Sequence, residues 1–422
     1  MPSSTPQQQQ PQEQQNADSK LFEPLEIGNG KIELKHRVIL APLTRNRGVP
    51  LNEKNTPEEP NRLWYPGDLA VEYYRQRATD GGLLISEGGP PSLESNGMPG
   101  VPGLFIPEQV AGWKRVVDAV HEKGGYIYFQ IWHAGRATIP QMTGSPPVCA
   151  SATPWDDPTE CYSHPPVGMS TQVRYVDHPP IELTVPHIKK TIKDYCDVAE
   201  TAMKIGFDGV EVHGGNGYLP EQFLSSNINT RTDEYGGTPE KRCRFVLELM
   251  GEVAGRIGEE NLGIRLTPFG LFNQARGEQR VETWTYLCRE LKRGWPRLSY
   301  VSFVEPRYEQ LFSATKKDKF LQSWGLPDVD LSAFRSIFGS TPFFSAGGWD
   351  DTNSWGVVEK GKYDALLYGR YFISNPDLVE RLRKGIPLTK YDRSRFYGPF
   401  EDNEVGYTDY KTWEEEQGEK KS

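Results

Sequence analysis

The segment His213-Gly-Gly-Asn-Gly-Tyr218 puts an imidazole, a carboxamide and a phenol on one short glycine-rich loop. A lone histidine after an apolar strand is ordinarily structural. Here His213 and Asn216 can aim two N–H donors at one oxygen, and Tyr218 can deliver a proton nearby. Paired donors stabilise an oxygen that gains negative charge during a reaction, and a positioned phenol can act as a general acid. A second pattern lies further on, in Phe344-Ser-Ala-Gly-Gly348 and Tyr368-Gly-Arg370. Gly347, Gly348 and Gly369 expose backbone N–H groups and Arg370 adds a charged fork, a combination suited to a phosphate, although glycine turns can also be only turns. Thr44, Arg45, Glu87, Gly88, Gln130, Trp132 and Arg265 occupy the ends of other apolar runs. Donors, cations and aromatics of this kind suit a large polar cofactor. They do not form a metal constellation, and no Ser or Cys sits in a nucleophile elbow.

These residues need a scaffold that gathers loop ends on one face. Apolar runs begin at Arg37, Gly82, Tyr126, Gly209, Leu262, Tyr300, Pro342 and Ala365. Near-continuous apolar runs fit parallel strands covered on both sides. Helical patterns fall between and after them, over Ala70–Arg77, Glu108–Lys123, Val185–Ile205, Pro239–Ile257, Val281–Lys292, Ser332–Phe338, Asn353–Lys360 and Asp377–Lys384. Pro239 after Thr238 and Pro376 after Asn375 fit first-turn positions. The alternation predicts an α/β fold, a single-domain (β/α)8 TIM barrel with long loops over its C-terminal face, where such barrels carry their reacting groups. The alternative is an open doubly wound sheet, but no Gly-rich dinucleotide turn follows the first strand. The Pro-rich excursion from Gln141 to Val185 is long enough to cover a site, or to be a surface loop without a chemical role.

Composition narrows the function. The chain has 422 residues and a formal charge of −9, which disfavours a nucleic-acid surface. No apolar run of about 18 residues suggests a membrane span, and the N-terminus lacks the features of a secretory signal. Five scattered cysteines without CxxC spacing point to a reducing, cytoplasmic setting. Residues 1–20 are Gln- and Pro-rich and expected to be disordered. Residues 21–400 should form the barrel, and 401–422 a charged, loose tail.

At this point the chain resembles a known family. His213-Gly-Gly-Asn-Gly-Tyr-Leu, then Gln222-Phe-Leu, then Asn229-Thr-Arg-Thr-Asp-Glu-Tyr-Gly-Gly237, is similar to the old yellow enzymes, FMN-dependent ene-reductases. So are Ala41-Pro-Leu-Thr-Arg45, Ile85-Ser-Glu-Gly88, Gln130-Ile-Trp-His and the segment Tyr368–Leu378, with Tyr391-Asp-Arg and Phe396-Tyr397 completing the set. The resemblance runs in order from about Leu21 to Tyr397 and is greatest to the fungal and plant oxophytodienoate-reductase-like branch. It implies non-covalent FMN, held by Thr44, Gly88, Gln130 and Arg265 around the flavin and by Gly347, Gly348, Gly369 and Arg370 around the phosphate. It implies that His213 and Asn216 bind the substrate's carbonyl oxygen and that Tyr218 donates the proton, with Trp132 and Tyr397 lining the substrate side. Gly214, Gly215 and Pro220 depart from the common pattern, and insertions around Asn52–Gly67 and within Gln141–Val185 should lie near the mouth.

The implied activity is NADPH-dependent reduction of the C=C bond of an enone or enal, with NADH the alternative donor. Hydride moves from flavin N5 to Cβ and Tyr218 protonates Cα. Two rivals stay open on the same site: a redox-neutral isomerase, and a reduction that triggers cyclisation. A non-catalytic flavin-binding protein is a third. The implied partner is a small molecule, with neither nucleic acid nor membrane, and the protein is expected to be a monomer or homodimer.

Overall fold

The structure, a computed structural model, describes residue 16, residues 18–305 and residues 330–419. Eight parallel strands close into a barrel: β1 (Val38–Leu40), β2 (Leu83–Ile85), β3 (Tyr126–Ile131), β4 (Gly209–His213), β5 (Leu262–Leu266), β6 (Tyr300–Val304), β7 (Phe343–Ala346) and β8 (Ala365–Tyr368). Each pairs with its neighbour in the chain, and β8 returns to β1 with Leu366 opposite Val38 and Tyr368 opposite Leu40. The barrel, not the open sheet, is the fold. The helices that follow the strands are α1 (Asp68–Arg77), α2 (Pro107–His121), α3 (Val185–Ile205), α4 (Pro239–Ile257), α5 (Arg280–Gly294), α6 (Ser332–Phe338), α7 (Trp355–Glu359) and α8 (Leu378–Lys384).

Local chemistry accounts for the helix bounds. Thr184 and Thr238 cap α3 and α4 by accepting the N–H groups of His187 and Lys241, with proline just inside each helix, and Gly206 ends α3 in the left-handed region at φ 103°. Pro376 departs from expectation: α8 opens after Asp377, so the proline precedes the helix and does not lie in its first turn.

Strand alternation divides the core. Val210 and Val212 of β4, and Leu262, Ile264 and Leu266 of β5, pack outward among the helices. Ile39, Leu83, Ile85, Tyr128, Tyr300, Phe344 and Leu367 fill the barrel. A hairpin of Leu25–Ile27 and Ile32–Leu34 joins that inner cluster through Ile27, Ile32 and Leu34. The positions between the outward residues of β4 and β5 must therefore face inward: Glu211, His213 and Arg265.

Both expected chain ends shift. Residues 1–15 and 17 of the segment expected to be disordered lie outside the described residues, as do 420–422 of the tail. Ser19, however, is packed; its hydroxyl accepts the Leu21 N–H and donates to Glu359 at 2.5 Å. The boundary at 400 also fails. Tyr407 is fully buried and stacks on Tyr73 with ring centroids 4.3 Å apart, and the Arg45 guanidinium lies 5.1 Å from its ring centre. A helix at Trp413–Glu419 follows, and Glu416 accepts from buried Arg381 at 2.7 Å. The tail reads as polar along the chain, but its few aromatic and acidic anchors find partners on the barrel. Tyr407→Ala should therefore cost about 3–5 kcal/mol, the usual loss for a large buried aromatic, read as a lowered midpoint in chemical denaturation; an unchanged midpoint would show that this segment does not belong to the core.

Candidate active site

A cavity of about 820 Å³ opens at the C-terminal ends of the strands. Its walls include Thr44, Arg45, Gly88, Gln130, Trp132, His213, Asn216, Tyr218, Arg265, Gly347, Gly348, Gly369, Arg370 and Tyr397, whereas Glu87, also singled out from the sequence, lies behind the wall. They come from strand ends far apart in the chain, and barrel closure brings them together. Register sets their levels, with Gln130 beside Glu211 and His213 beside Arg265.

At the end of β4 the Gly215 N–H donates to His213 Nδ1 at 3.4 Å. A neutral ring bonded this way carries its proton on Nε2. Burial, reinforced by the neighbouring Arg265 cation, holds His213 down at about 3, so the ring is neutral at physiological pH. Asn216 Nδ2 lies 3.4 Å from that Nε2. Two N–H groups thus stand side by side, neither an acceptor for the other, on the cavity wall. Tyr218 is buried edge-on against Trp132 and His213, at centroid distances of 5.1 and 5.4 Å. Burial pushes its phenol well above the ordinary value and the nearby Tyr397 adds to this, while a hydrogen bond with Asn273 opposes them. The phenol is a proton donor, not a phenolate, at neutral pH.

The deeper wall is polar. Gln130 Nε2 donates to Glu211 Oε1 at 2.6 Å. That bond fixes the amide and leaves its oxygen near Gly88, where an added Cβ would meet Gln130 Oε1 at 3.0 Å and Trp132 Cβ at 2.9 Å. Arg265 is half-buried, and its Nη1 is buried with no partner among the described residues. A buried guanidinium N–H without an acceptor is costly. A fixed amide oxygen and an unanswered guanidinium are the complement of a flavin's N3–H and C2=O edge. The residues present therefore fit FMN, and Arg370 lines the same cavity with Gly347, Gly348 and Gly369.

The mouth draws on the long loop. Trp155, Tyr162 and Tyr175 of the 141–185 excursion pack in one cluster with Trp132 and Tyr218. Ser163 and His164 reach the cavity wall, whereas no residue of 52–67 does. His164 Nε2 lies 3.1 Å from the Gly398 carbonyl oxygen, tying this loop to the segment that carries Tyr397. Arg45 and Arg47 hold that same segment through carbonyl oxygens of Arg395, Phe396, Asn403 and Gly406.

Sequence reading missed several groups that touch the site. Glu211, Thr267 and Asn273 are ordinary-looking polar residues within or just after strands. Glu211 alone carried a signal, a carboxylate inside an apolar strand. Glu87 closes one flank: its carboxylate accepts the Arg45 N–H at 3.2 Å, and burial pushes it up to about 7.

A cavity at the open end of a barrel, with a lining that fits a flavin, is the arrangement expected of a flavin oxidoreductase. The model of the NADH:flavin oxidoreductase / NADH oxidase family matches residues 20–389, and the chain belongs to that family. It is 43% identical over 397 residues to the flavin oxidoreductase hxnT of Emericella nidulans, covering 92% of this chain and 97% of that one. It is 39% identical to 12-oxophytodienoate reductase 1 of Oryza sativa subsp. japonica over 92% of each chain. Morphinone reductase superposes with a TM-score of 0.77 at 36% identity, covering 94% of this chain and 97% of that one. The old yellow enzyme homologue of Zymomonas mobilis gives 0.78 at 29% identity, covering 93% and 99%. The protein is an FMN-dependent, NAD(P)H-dependent oxidoreductase of C=C bonds.

The tightest point of the site is Gly217, at φ 66°, where an added Cβ would stand 2.2 Å from the Phe272 carbonyl oxygen. Gly217→Ala should lower stability by more than about 1 kcal/mol, because both dihedral strain and backbone overlap oppose it; an unshifted denaturation midpoint would mean the turn has room to relax.

Proposed function

We propose that the protein reduces α,β-unsaturated aldehydes and ketones, taking its electrons from NADPH in a cytoplasmic setting. The observation that carries this reading is the pair of adjacent N–H groups on His213 and Asn216, 3.4 Å apart and beside a buried protonated phenol. FMN, when bound, supplies the hydride chemistry. His213 Nε2–H and Asn216 Nδ2–H hold the substrate's carbonyl oxygen and strengthen as it gains charge, each by about 10²–10³ in rate. Tyr218 hands its hydroxyl proton to the α carbon, worth roughly 10²–10⁴. Arg265, Gln130, Thr44 and Gly88 hold the isoalloxazine, Arg370 with Gly347, Gly348 and Gly369 holds the phosphate, and Trp132 and Tyr397 shape the substrate side. Five unpaired cysteines, four of them buried, agree with a reducing compartment. Among the described residues no helix is long and apolar enough to cross a membrane.

Tyr218→Phe removes only the hydroxyl. NADPH should still bleach the flavin at near-normal rate while oxidation by cyclohexenone slows by roughly 10²–10⁴. Stopped-flow traces of the two half-reactions provide the check, and equal slowing of both would deprive Tyr218 of the acid role.

A second outcome concerns pH. Burial and Arg265 both penalise the imidazolium, so His213 gains a proton only near 3, far below its ordinary value. Affinity for a neutral saturated ketone product should then be flat from about pH 5 to pH 8, read by flavin absorbance. A fall centred near pH 6.5 would mean that the ring titrates as free histidine does.

A further inference from the structure

Asn216 and Gly217 form a left-handed pair, with φ of 55° and 66°. The left-handed conformation is uncommon for a residue with a side chain, and hydrogen bonds hold Asn216 and the glycine beside it in this turn. The Asn216 N–H donates to Thr267 Oγ1 at 2.7 Å, and the Gly217 N–H donates to Glu221 Oε2 at 2.7 Å. The Thr267 hydroxyl itself donates to that same Glu221 oxygen at 2.8 Å. From the other side, Asn273 Nδ2 donates to the Asn216 carbonyl oxygen at 3.0 Å.

The carboxylate at the centre of this set is anchored. Arg280 Nη2 donates to Glu221 Oε1 at 2.6 Å, with both side chains buried. Arg280 further donates to the carbonyl oxygens of Pro268 and Ala275, so it braces the loop after β5 that carries Thr267 and Asn273. The space is filled as well: a Cβ on Gly215 would stand 2.5 Å from Thr267 Oγ1.

We propose that Thr267, Glu221 and Arg280 are positioning residues for the reaction: they clamp the left-handed Asn216–Gly217 turn and so set the aim of the His213–Asn216 donor pair and the Tyr218 hydroxyl. Glu221 and Arg280 lie off the cavity wall, and Thr267, which lines it, acts through its bonds to the Asn216 N–H and to Glu221. They act through the peptide groups on either side of the reacting side chains. A displacement of about 1 Å in such groups is enough to cost on the order of 10² in rate. The inference rests on the reading of His213 and Asn216 as carbonyl-oxygen donors.

The test uses FMN-loaded full-length protein and 4-hydroxybenzaldehyde, a phenol whose oxygen needs the same two donors, titrated by the change in flavin absorbance. Thr267→Val keeps the shape and deletes the hydroxyl. It should weaken ligand affinity at least tenfold while FMN affinity and melting temperature stay near wild type, and Thr267→Ser should restore tight binding. Asn273→Ala, a milder change that removes the bonds to the Asn216 carbonyl and to the Tyr218 phenol, should weaken the ligand in the same sense, which keeps the test open if Thr267→Val does not fold. Affinity within twofold of wild type in a folded Thr267→Val protein, or in Asn273→Ala, would overturn the clamp. Parallel loss of FMN and ligand affinity in Thr267→Val, unrelieved by serine, would also overturn it, as a general packing defect. Failure of the wild-type protein itself to bind the phenol or to be reoxidised by enone would instead overturn the enone-reductase reading beneath it.

Discussion

Desolvation at the open end of the barrel sets the ionisation of the groups proposed to do the chemistry, and most other features of the site follow from it. Inside a low-dielectric wall the charged form of any group is penalised unless a partner compensates. His213 therefore stays neutral, with one N–H to give. Tyr218 keeps its proton. Arg265 keeps its place beside buried Glu211, whose own carboxyl is held up by burial and drawn down by that cation and by Gln130.

Keeping those groups dry while leaving room for ligands demands backbone that approaches closely and does not move. Glycines supply the approach: Gly88 under Trp132, Gly215 against Thr267, Gly217 against Phe272. The Glu221–Arg280 pair supplies the rigidity. A buried ion pair of this kind contributes little net stability over an apolar substitute, yet breaking it is expensive. Its use here is geometric, since the carboxylate organises two donors, the hydroxyl of Thr267 and the Gly217 N–H, in addition to the guanidinium.

The mouth is assembled differently, from segments with little secondary structure. Three arginines do most of the fastening. Arg45 and Arg47 tie down residues 395–406, and Arg77 donates to the carbonyl oxygens of Phe372, Ile373 and Tyr407. Stacking of Tyr407 on Tyr73 and the guanidiniums beside those rings close the arrangement. Cavity-lining residues such as Tyr397 and His164 thus sit on irregular chain that is nonetheless pinned at many carbonyl oxygens.

Hydrophobic periodicity, a local property, was enough to place the strand and helix spans: β4 and α3 fall where the pattern of Gly209–His213 and Val185–Ile205 predicts. The proposed trio was also legible as a group, because His213, Asn216 and Tyr218 lie on one loop at a strand end and line one cavity. Other features were decided in three dimensions. Glu211 points inward because its neighbours Val210 and Val212 must bury outward against helices. Glu221 and Arg280 lie 59 residues apart and meet only when adjacent barrel loops close on each other. Tyr407 sits in a stretch too polar to announce a core residue, and its cavity exists only once Tyr73 and the arginines are placed. Sequence records what each segment prefers locally; which buried polar group finds which partner depends on contacts that no local pattern encodes.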